Sequence, residues 1–312
     1  MSFIIEFTSA EEDPMKLLVS GGTGLIGGGL VDSLRKENHK VTLLTRRASV
    51  SAPHILWDPH LERVDPRLLE GFDAVVHLAG ENIAAGRWTS KVKDRILKSR
   101  SKGTAFLANT LAGLTRPPKV LISASAIGIY GDRGEESLNE ESPPGTGFLA
   151  EVCRAWESSS APAAAKGIRV AALRFGVVLS PRGGALQKML LPFRLGLGGK
   201  IGTGRQWWSW VSLMDVIGGI RHVLETDFIS GPVNVTAPSP VTNAEFTKAL
   251  GRALHRPTLF PLPAFMAKMV LGEMAESLLL ASARVEPKKL LSSGYVFRHS
   301  TLAGALTDLL KS

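Results

Sequence analysis

One cysteine, Cys153, occurs in 312 residues. A lone cysteine excludes an intrachain disulfide and any cysteine-cluster metal centre, so no metal is expected and a reducing, cytoplasmic compartment is. Long apolar runs are missing as well. The opening stretch MSFIIEFTSAEEDP offers no basic n-region and no apolar segment long enough for a signal or an anchor. The most apolar late segment, 262–282, carries Lys268, Glu273 and Glu276, which makes it a core or interface helix and gives no reason to expect a membrane partner. The net charge is +9, but the lysines and arginines form no tract and no nucleic-acid motif. A positive field around a polyphosphate pocket explains the charge without nucleic acid. No internal repeat is evident. What remains is ordinary globular composition, 44% hydrophobic and 21% charged, enough for one or two domains. Met15 stands directly before the first strand, so residues 1–14 are expected to be an upstream extension.

Residues 16–27, KLLVSGGTGLIG, place a short apolar strand against a glycine ladder that opens a helix. Gly21 permits the sharp turn, Gly24 lets the backbone approach a pyrophosphate, and Gly27 allows the helix to pack on the strand. The phosphates then meet unpaired N–H groups at the helix N-terminus. Leu30, Val31 and Leu34 supply the amphipathic helix that the motif requires. The whole turn, Gly21, Gly22, Thr23, Gly24, Leu25, Ile26 and Gly27, is therefore expected to bind a dinucleotide.

Strand-like runs recur at 16–20, 40–45, 54–57, 73–79, 118–125 and 168–174, with helix-compatible stretches between most of them. Such alternation implies an α/β fold with a Rossmann-type, doubly wound parallel sheet, because parallel strands need crossovers. Beyond Gly183 the pattern loosens, 211–225 reads again as an amphipathic helix, and GPVNVT at 231–236 reads as one more sheet strand. Residues 242–255 and 262–282 read as helices, with Thr242 or Asn243 as N-cap. The expected organisation is a nucleotide-binding domain at 15–180, rejoined by 211–236, and a smaller discontinuous C-terminal substrate domain from 181–210 and 237–312.

The tip of the second strand meets the adenosine ribose in this architecture, and a carboxylate there selects a free 2′-hydroxyl. Here the tip reads LLTRRAS, with Arg46 nineteen residues past Gly27, Arg47 beside it, and no acid before Asp58. A guanidinium pairs with a 2′-phosphate in bidentate fashion, so the chemistry points to NADP(H). Thr45, Arg46 and Arg47 join the cofactor set, and so does Asp58, either as acceptor for the adenine amine or as a turn residue ahead of Pro59.

With these pieces placed, the chain resembles the extended short-chain dehydrogenase/reductases. SGGTGLIG is similar to their opening motif, HLAG at 77–80 to their fourth-strand motif, ISASAIGIYG at 122–131 to their serine-bearing fifth strand, and LRFGVVLSP at 173–181 to the strand entering the substrate region. The stretches FLAEVCRAWE, LPFRLGLGGKIGTGRQWWSWV and APSPVTNAEF resemble more closely an atypical branch called "epimerase family protein", which carries its own C-terminal domain of unknown function. The resemblance runs from about residue 15 to the end. It implies Leu78, Ala79, Gly80 and Glu81 along the cofactor, an NADP(H) cofactor, and a small-molecule substrate. It leaves room for a homo-oligomer.

The resemblance also implies a catalytic tyrosine with a lysine four residues later, the lysine lowering the phenol pKa. The chain has two tyrosines, Tyr130 and Tyr295, and Gly134 and His299 stand four positions on. If Glu157 is matched to the family's glutamate, Leu149 takes the tyrosine place and Cys153 the lysine place. The family's asparagine ahead of Gly-Thr is absent too, because Ser99 and Arg100 precede Gly103–Thr104; Arg100 is placed with the cofactor residues. Of Ser123 and Ser125 at the fifth strand's end, Ser125 is the better match to the family serine. Tyr130, Glu81, Arg87 and Arg205 are candidate replacements for the missing proton donor, Tyr130 first and Glu81 next, with a buried structural tyrosine the alternative account of Tyr130. Asn82, Arg205, Gln206, Trp207 and Trp208 are expected at the substrate pocket, with packing between domains an equal account of the Gln206–Trp210 stretch. Asp215 resembles the family's aspartate at the start of the helix after that loop, where a capping or structural role is expected. The leading expectation is an NADP(H)-dependent oxidoreductase or epimerase-like enzyme; the alternative is a non-catalytic NADP(H)-binding sensor or scaffold.

Overall fold

The computed structural model describes residues 14–47, 53–84 and 86–311. The extension expected at 1–14 lies almost wholly outside the described residues, as do Ala48 and Ser49.

Leu17, Leu18 and Val19 are wholly buried, which is what a strand covered on both faces demands. They belong to β1 (Lys16–Ser20). The other strands of the same sheet are β2 (Lys40–Thr45), β3 (His54–Leu56), β4 (Ala74–His77), β5 (Val120–Ala126), β6 (Arg169–Phe175) and β7 (Gly231–Val235). Their order across the sheet is β7-β6-β5-β4-β1-β2-β3, and each neighbouring pair is parallel. The order reverses between β1 and β4, so a crevice opens beyond their carboxyl ends, where ligands of such sheets sit.

Alternation along β1 sends Leu17 and Val19 to one face and Leu18 to the other. On the first face lie Leu30, Val31 and Leu34 of α1 (Leu25–Lys36) and Val216, Ile220 and Val223 of α5 (Leu213–Glu225). On the second lie Leu107, Ala108 and Leu111 of α2 (Ser90–Ala112). Two further helices follow the sheet's later strands, α3 (Phe148–Ser158) and α4 (Gly184–Arg194).

A separate apolar core gathers Leu186, Leu190 and Phe193 of α4, Trp208, Trp210, Phe246 and Leu250, and Leu302 and Leu306 near the C-terminus. Phe246 and Leu250 come from α6 (Asn243–Ala253), which starts with a reciprocal capping box between Thr242 and Glu245. The stretch 262–282 is not one helix. It forms α7 (Ala264–Leu271), breaks at Gly272 with φ +61°, and resumes as a short turn and a π-turn at Glu276–Leu280. That φ suits glycine alone, so the break is written into the residue.

Asp215, at the third position of α5, is 1% exposed. It accepts from Ser212 Oγ (2.7 Å), Arg298 N (2.7 Å), His299 N (3.1 Å) and Tyr295 OH (3.3 Å). Ser212 caps the helix through its hydroxyl, so Asp215 joins a cap to the docking of segment 295–299.

Candidate active site

The glycines after β1 have distinct geometry. Gly21 has φ +71°, and a Cβ on it would stand 2.7 Å from the Leu78 carbonyl carbon, so the turn is pressed against the end of β4. A Cβ on Gly27 would stand 2.2 Å from the Gly21 oxygen, a backbone overlap that only glycine avoids. Gly24 differs: its Cβ would meet only the Gly21 oxygen, at 3.3 Å, and the space beyond is open. No side chain caps α1 and no acid lies in its first turn. Free N–H groups, a helix dipole and open room fit a diphosphate. Thr23 and Gly24 are exposed, while Leu25 and Ile26 are half-buried.

Beneath this turn is a pair that sequence reasoning missed. Ser20 Oγ and His77 Nδ1 lie 2.6 Å apart across β1 and β4, both wholly buried, and burial lowers the histidine pKa to about 4. Ser20 also accepts from the Ala79 N–H through its hydroxyl (3.4 Å) and from the Leu78 N–H through its carbonyl (3.1 Å), tying Leu78 and Ala79 to the cradle. The signal lies inside HLAG, whose histidine ends the wholly buried strand β4.

At the far end of the crevice, Arg46 and Arg47 are exposed beyond β2, and Thr45 Oγ1 accepts from Arg47 N at 3.2 Å. Asp58 Oδ1 accepts from His60 N (2.8 Å) and Leu61 N (3.2 Å), an Asx turn. Those two N–H groups, with smaller help from His60 and Arg46, hold the Asp58 carboxyl below its ordinary range.

Beyond β4, Gly80 leads into Glu81, whose half-exposed carboxylate faces Arg95 Nε at 3.5 Å. The Arg100 guanidinium donates to the Glu81 carbonyl (2.9 Å) and the Ile96 carbonyl (3.3 Å) and lies 4.9 Å over the Trp156 ring, so it braces the Glu81 backbone. Burial lowers its pKa. Asn82 is exposed and accepts from Ala84 N in a turn of its own.

The β5 end draws Ser125 and Tyr130 into one buried network. Ser125, 2% exposed, donates to Glu157 Oε1 at 2.6 Å. Glu157 is gripped by both arms of Arg174, at 2.8 and 2.9 Å. Arg174 Nη1 in turn donates to Tyr130 OH at 2.9 Å, and the single phenolic proton faces Asn139 O and Asn234 Oδ1 at 2.9 and 2.8 Å. Tyr130 has no exposed surface, and burial raises its pKa. Its hydroxyl is enclosed within this network, which favours the structural account of Tyr130 over the proton-donor account. Cys153 holds the lysine place as a buried thiol, pushed up to about 11 chiefly by desolvation. Leu149 packs beside Gly128, a Cβ on which would lie 3.1 Å from it.

Two of the substrate-pocket candidates stand in packing between segments. Gln206 is buried and donates to Ile201 O and Leu279 O, each at 3.0 Å. Trp208 is buried against Phe246, 5.2 Å between ring centroids. Both hold the second core together. Trp210, wholly buried, does the same through Ser239 O. Trp207 is half-buried beneath Arg284 (4.7 Å), and Arg205 is exposed. The loop after Glu81 supplies aromatic surface that the sequence did not reveal: the Trp88 ring meets Phe148 edge to face at 5.1 Å, and Trp88 Nε1 donates to Ile83 O at 2.8 Å. Among the described residues no cluster of His, Cys, Asp or Glu suits a metal ion, and no helix is long and apolar enough to cross a membrane.

A family model described as "NAD dependent epimerase/dehydratase family" matches residues 17–235, and a "Domain of unknown function (DUF1731)" matches 262–309. "Epimerase family protein Mb2239" of Mycobacterium bovis is 42% identical over 92% of this chain and 95% of its own length. The crystal structure of human epimerase family protein SDR39U1 (isoform 2) with NADPH superposes with a TM-score of 0.88 at 35% identity, covering 95% of this chain and 99% of that one. A structure described as the nucleoside-diphosphate sugar epimerase of Corynebacterium glutamicum gives a TM-score of 0.80 at 37% identity, over 95% of this chain and 58% of that one.

Proposed function

The chain belongs to the NAD dependent epimerase/dehydratase family, and from that premise we propose that it binds NADP(H) and works as an oxidoreductase or epimerase-like enzyme without the Tyr-x-x-x-Lys dyad. The observation that carries this reading is the contrast among the glycines, with Gly21 and Gly27 closed by backbone and Gly24 open. The backbone of Gly22 to Gly27 and the start of α1 would hold the pyrophosphate. Arg46 would pair with the 2′-phosphate, and Leu78 to Gly80 would line the path towards Glu81. NADPH bound to the human relative supports the cofactor.

The bound cofactor would supply hydride transfer. Ser125, its proton turned to Glu157, is left as an acceptor towards a substrate hydroxyl at the β5 end. Glu81 is the half-exposed titratable side chain beyond β4, braced through its backbone by Arg100. We assign Glu81 the proton exchange, because the Tyr130 hydroxyl is enclosed by Arg174, Asn139 and Asn234.

Titration of protein fluorescence with NADPH and NADH tests the cofactor reading. NADPH is expected to bind more tightly by about tenfold or more, the value of one charge-assisted pair, and Arg46→Ala to remove most of that preference. Equal affinity of the unaltered chain for both cofactors sinks the NADP(H) assignment. The enclosure of Tyr130 and the Glu157–Arg174 grip on Ser125 favour a second reading, a sensor or scaffold that binds NADP(H) without turnover. Tight NADPH binding with no turnover across a broad panel of carbonyl and sugar-nucleotide compounds selects it.

A further inference from the structure

We propose that the far end of α6 holds a compact polyphosphate, in a second site distinct from the cofactor cradle. A cavity of about 610 Å³ opens there, lined by Lys248 and Arg252 of α6 and by His255, Arg256 and Thr258 of the loop that follows, none of which belongs to the cradle. That volume is in the range of small-ligand sites. The fold gathers these groups by specific means. Lys248 and Arg252 stand one turn apart on one face of α6, a like-charge pair that a helix forms at a cost. His255 then reverses the chain at φ +53°, a conformation usually left to glycine or asparagine at a helix end. Arg256 N donates to Gly251 O at 2.9 Å, and a Cβ on Gly251 would run into Thr258 and stand 2.9 Å from Arg256 O, so glycine alone lets the loop fold back on the helix. The Arg256 guanidinium is fixed by Nε on Arg194 O (2.8 Å) and by Nη1 on His255 O (3.3 Å), which leaves Nη2 without a partner among the described residues.

Among the described residues no carboxylate lines this cavity or pairs with Lys248, Arg252 or Arg256, whereas Lys268, Lys288 and Arg298 hold Glu276, Glu141 and Asp308. The partial negative charge at the end of α6 accounts for one neighbouring cation and not for a cluster. Three fixed positive charges and an imidazole around one cavity raise the potential there, which favours a ligand with several negative charges in a small volume. Guanidinium and ammonium serve phosphate oxygens in complementary ways, one as a planar fork and the other as a point charge. The Thr258 hydroxyl adds a further donor. Without Phe, Tyr or Trp in its lining, the cavity has no face on which a base would stack, so it reads phosphate and not a nucleobase or single-stranded nucleic acid. A soluble polyphosphorylated metabolite and a polyphosphorylated lipid headgroup present the same chemistry to these residues.

The test titrates the full chain with inorganic tripolyphosphate by calorimetry at near-physiological salt. Saturable binding is expected, weakened about tenfold or more by Lys248→Ala and by Arg252→Ala, the value of one charge-assisted bond, and weakened further as salt rises. Both positions are exposed, so both variants should fold and keep their NADPH affinity. Gly24→Val, which alters the cofactor cradle, should leave tripolyphosphate binding at the α6 end unchanged. Sedimentation with phosphatidylcholine vesicles, with and without phosphatidylinositol 4,5-bisphosphate, identifies the source. Co-sedimentation that needs the phosphorylated lipid and is lost in both variants assigns the phosphates to a headgroup, and tripolyphosphate binding without it assigns them to a soluble metabolite. No binding of either probe overturns the proposal, as does tripolyphosphate binding indifferent to both substitutions. Binding lost in Gly24→Val but kept in Lys248→Ala places the anion in the cradle and overturns it too. If single-stranded RNA binds more tightly than tripolyphosphate and is lost in the same two variants, the cations serve nucleic acid and the proposal falls.

Discussion

Gly24→Val separates a phosphate cradle from a plain turn. Gly24 sits at φ −82°, ψ 178°, an extended conformation that valine adopts readily. The new Cβ would touch only the Gly21 oxygen at 3.3 Å, a contact relieved by a shift of a few tenths of an ångström. Stability should therefore change by no more than about 1 kcal/mol, partly offset by the stiffer unfolded chain. The branched methyls, however, would fill the open space above the α1 N-terminus. Losing two charge-assisted N–H bonds, at about 1.5–3 kcal/mol each, should weaken NADPH binding on the order of 10²-fold or more. Gly27→Ala serves as the contrast. Its Cβ would stand 2.2 Å from backbone oxygen, which no rotamer relieves, so about 3 kcal/mol or more of stability should be lost. Thermal melts with parallel NADPH titrations read both effects. A folded Gly24→Val protein that keeps its NADPH affinity would show that the glycine ladder only turns the chain.

Tyr130→Phe should leave NADPH affinity unchanged and cost about 1–3 kcal/mol of stability, because Arg174, Asn139 and Asn234 lose a buried partner; denaturant unfolding checks it, and a loss of turnover without a loss of stability would contradict the structural role. His77, whose folded pKa of about 4 lies below its unfolded value, contributes stability that is full above about pH 6.5 and is lost as pH falls towards 4. Between pH 7 and 5 the unaltered chain should lose roughly 2 kcal/mol that a His77→Asn variant does not, measured by urea unfolding at each pH. Asp215→Ala should destabilise the chain by about 3 kcal/mol or more, since four donors lose one buried carboxylate. Proteolysis of segment 295–299 in the folded variant checks that the same contact holds the tail.

Local pattern carried most of the sheet. Leu17 to Val19, Val41 to Leu44 and Val120 to Ile122 announce buried strands because covering helices leave them no polar face. The glycine cradle was legible for the same reason, its constraints lying within seven residues of chain. The site's interior was not. Tyr130 stands near a serine strand in sequence, but Arg174 and Asn234, which enclose its hydroxyl, come from β6 and β7. Gln206 and Trp208 read equally as pocket or as packing until Leu279 arrives from the π-turn to take their N–H groups. Chemistry that depends on pairing across the chain leaves no local periodicity to read.

The clamp on Asp215 bears on how this chain leaves the ribosome. Helix α5 covers one face of the sheet and packs tightly on α1, where a Cβ on Gly29 would lie 2.8 Å from Ile217. The carboxylate at its start is satisfied by donors from 295–299, and the edge strand β7 comes only at 231–235. A domain completed early in synthesis can fold while the rest is still emerging. Here the carboxylate that opens α5 finds three of its four partners only when residues 295–299 arrive. Nascent chains stalled short of residue 299 should therefore hold α5 less firmly, and be cut there more readily by protease, than chains that include it.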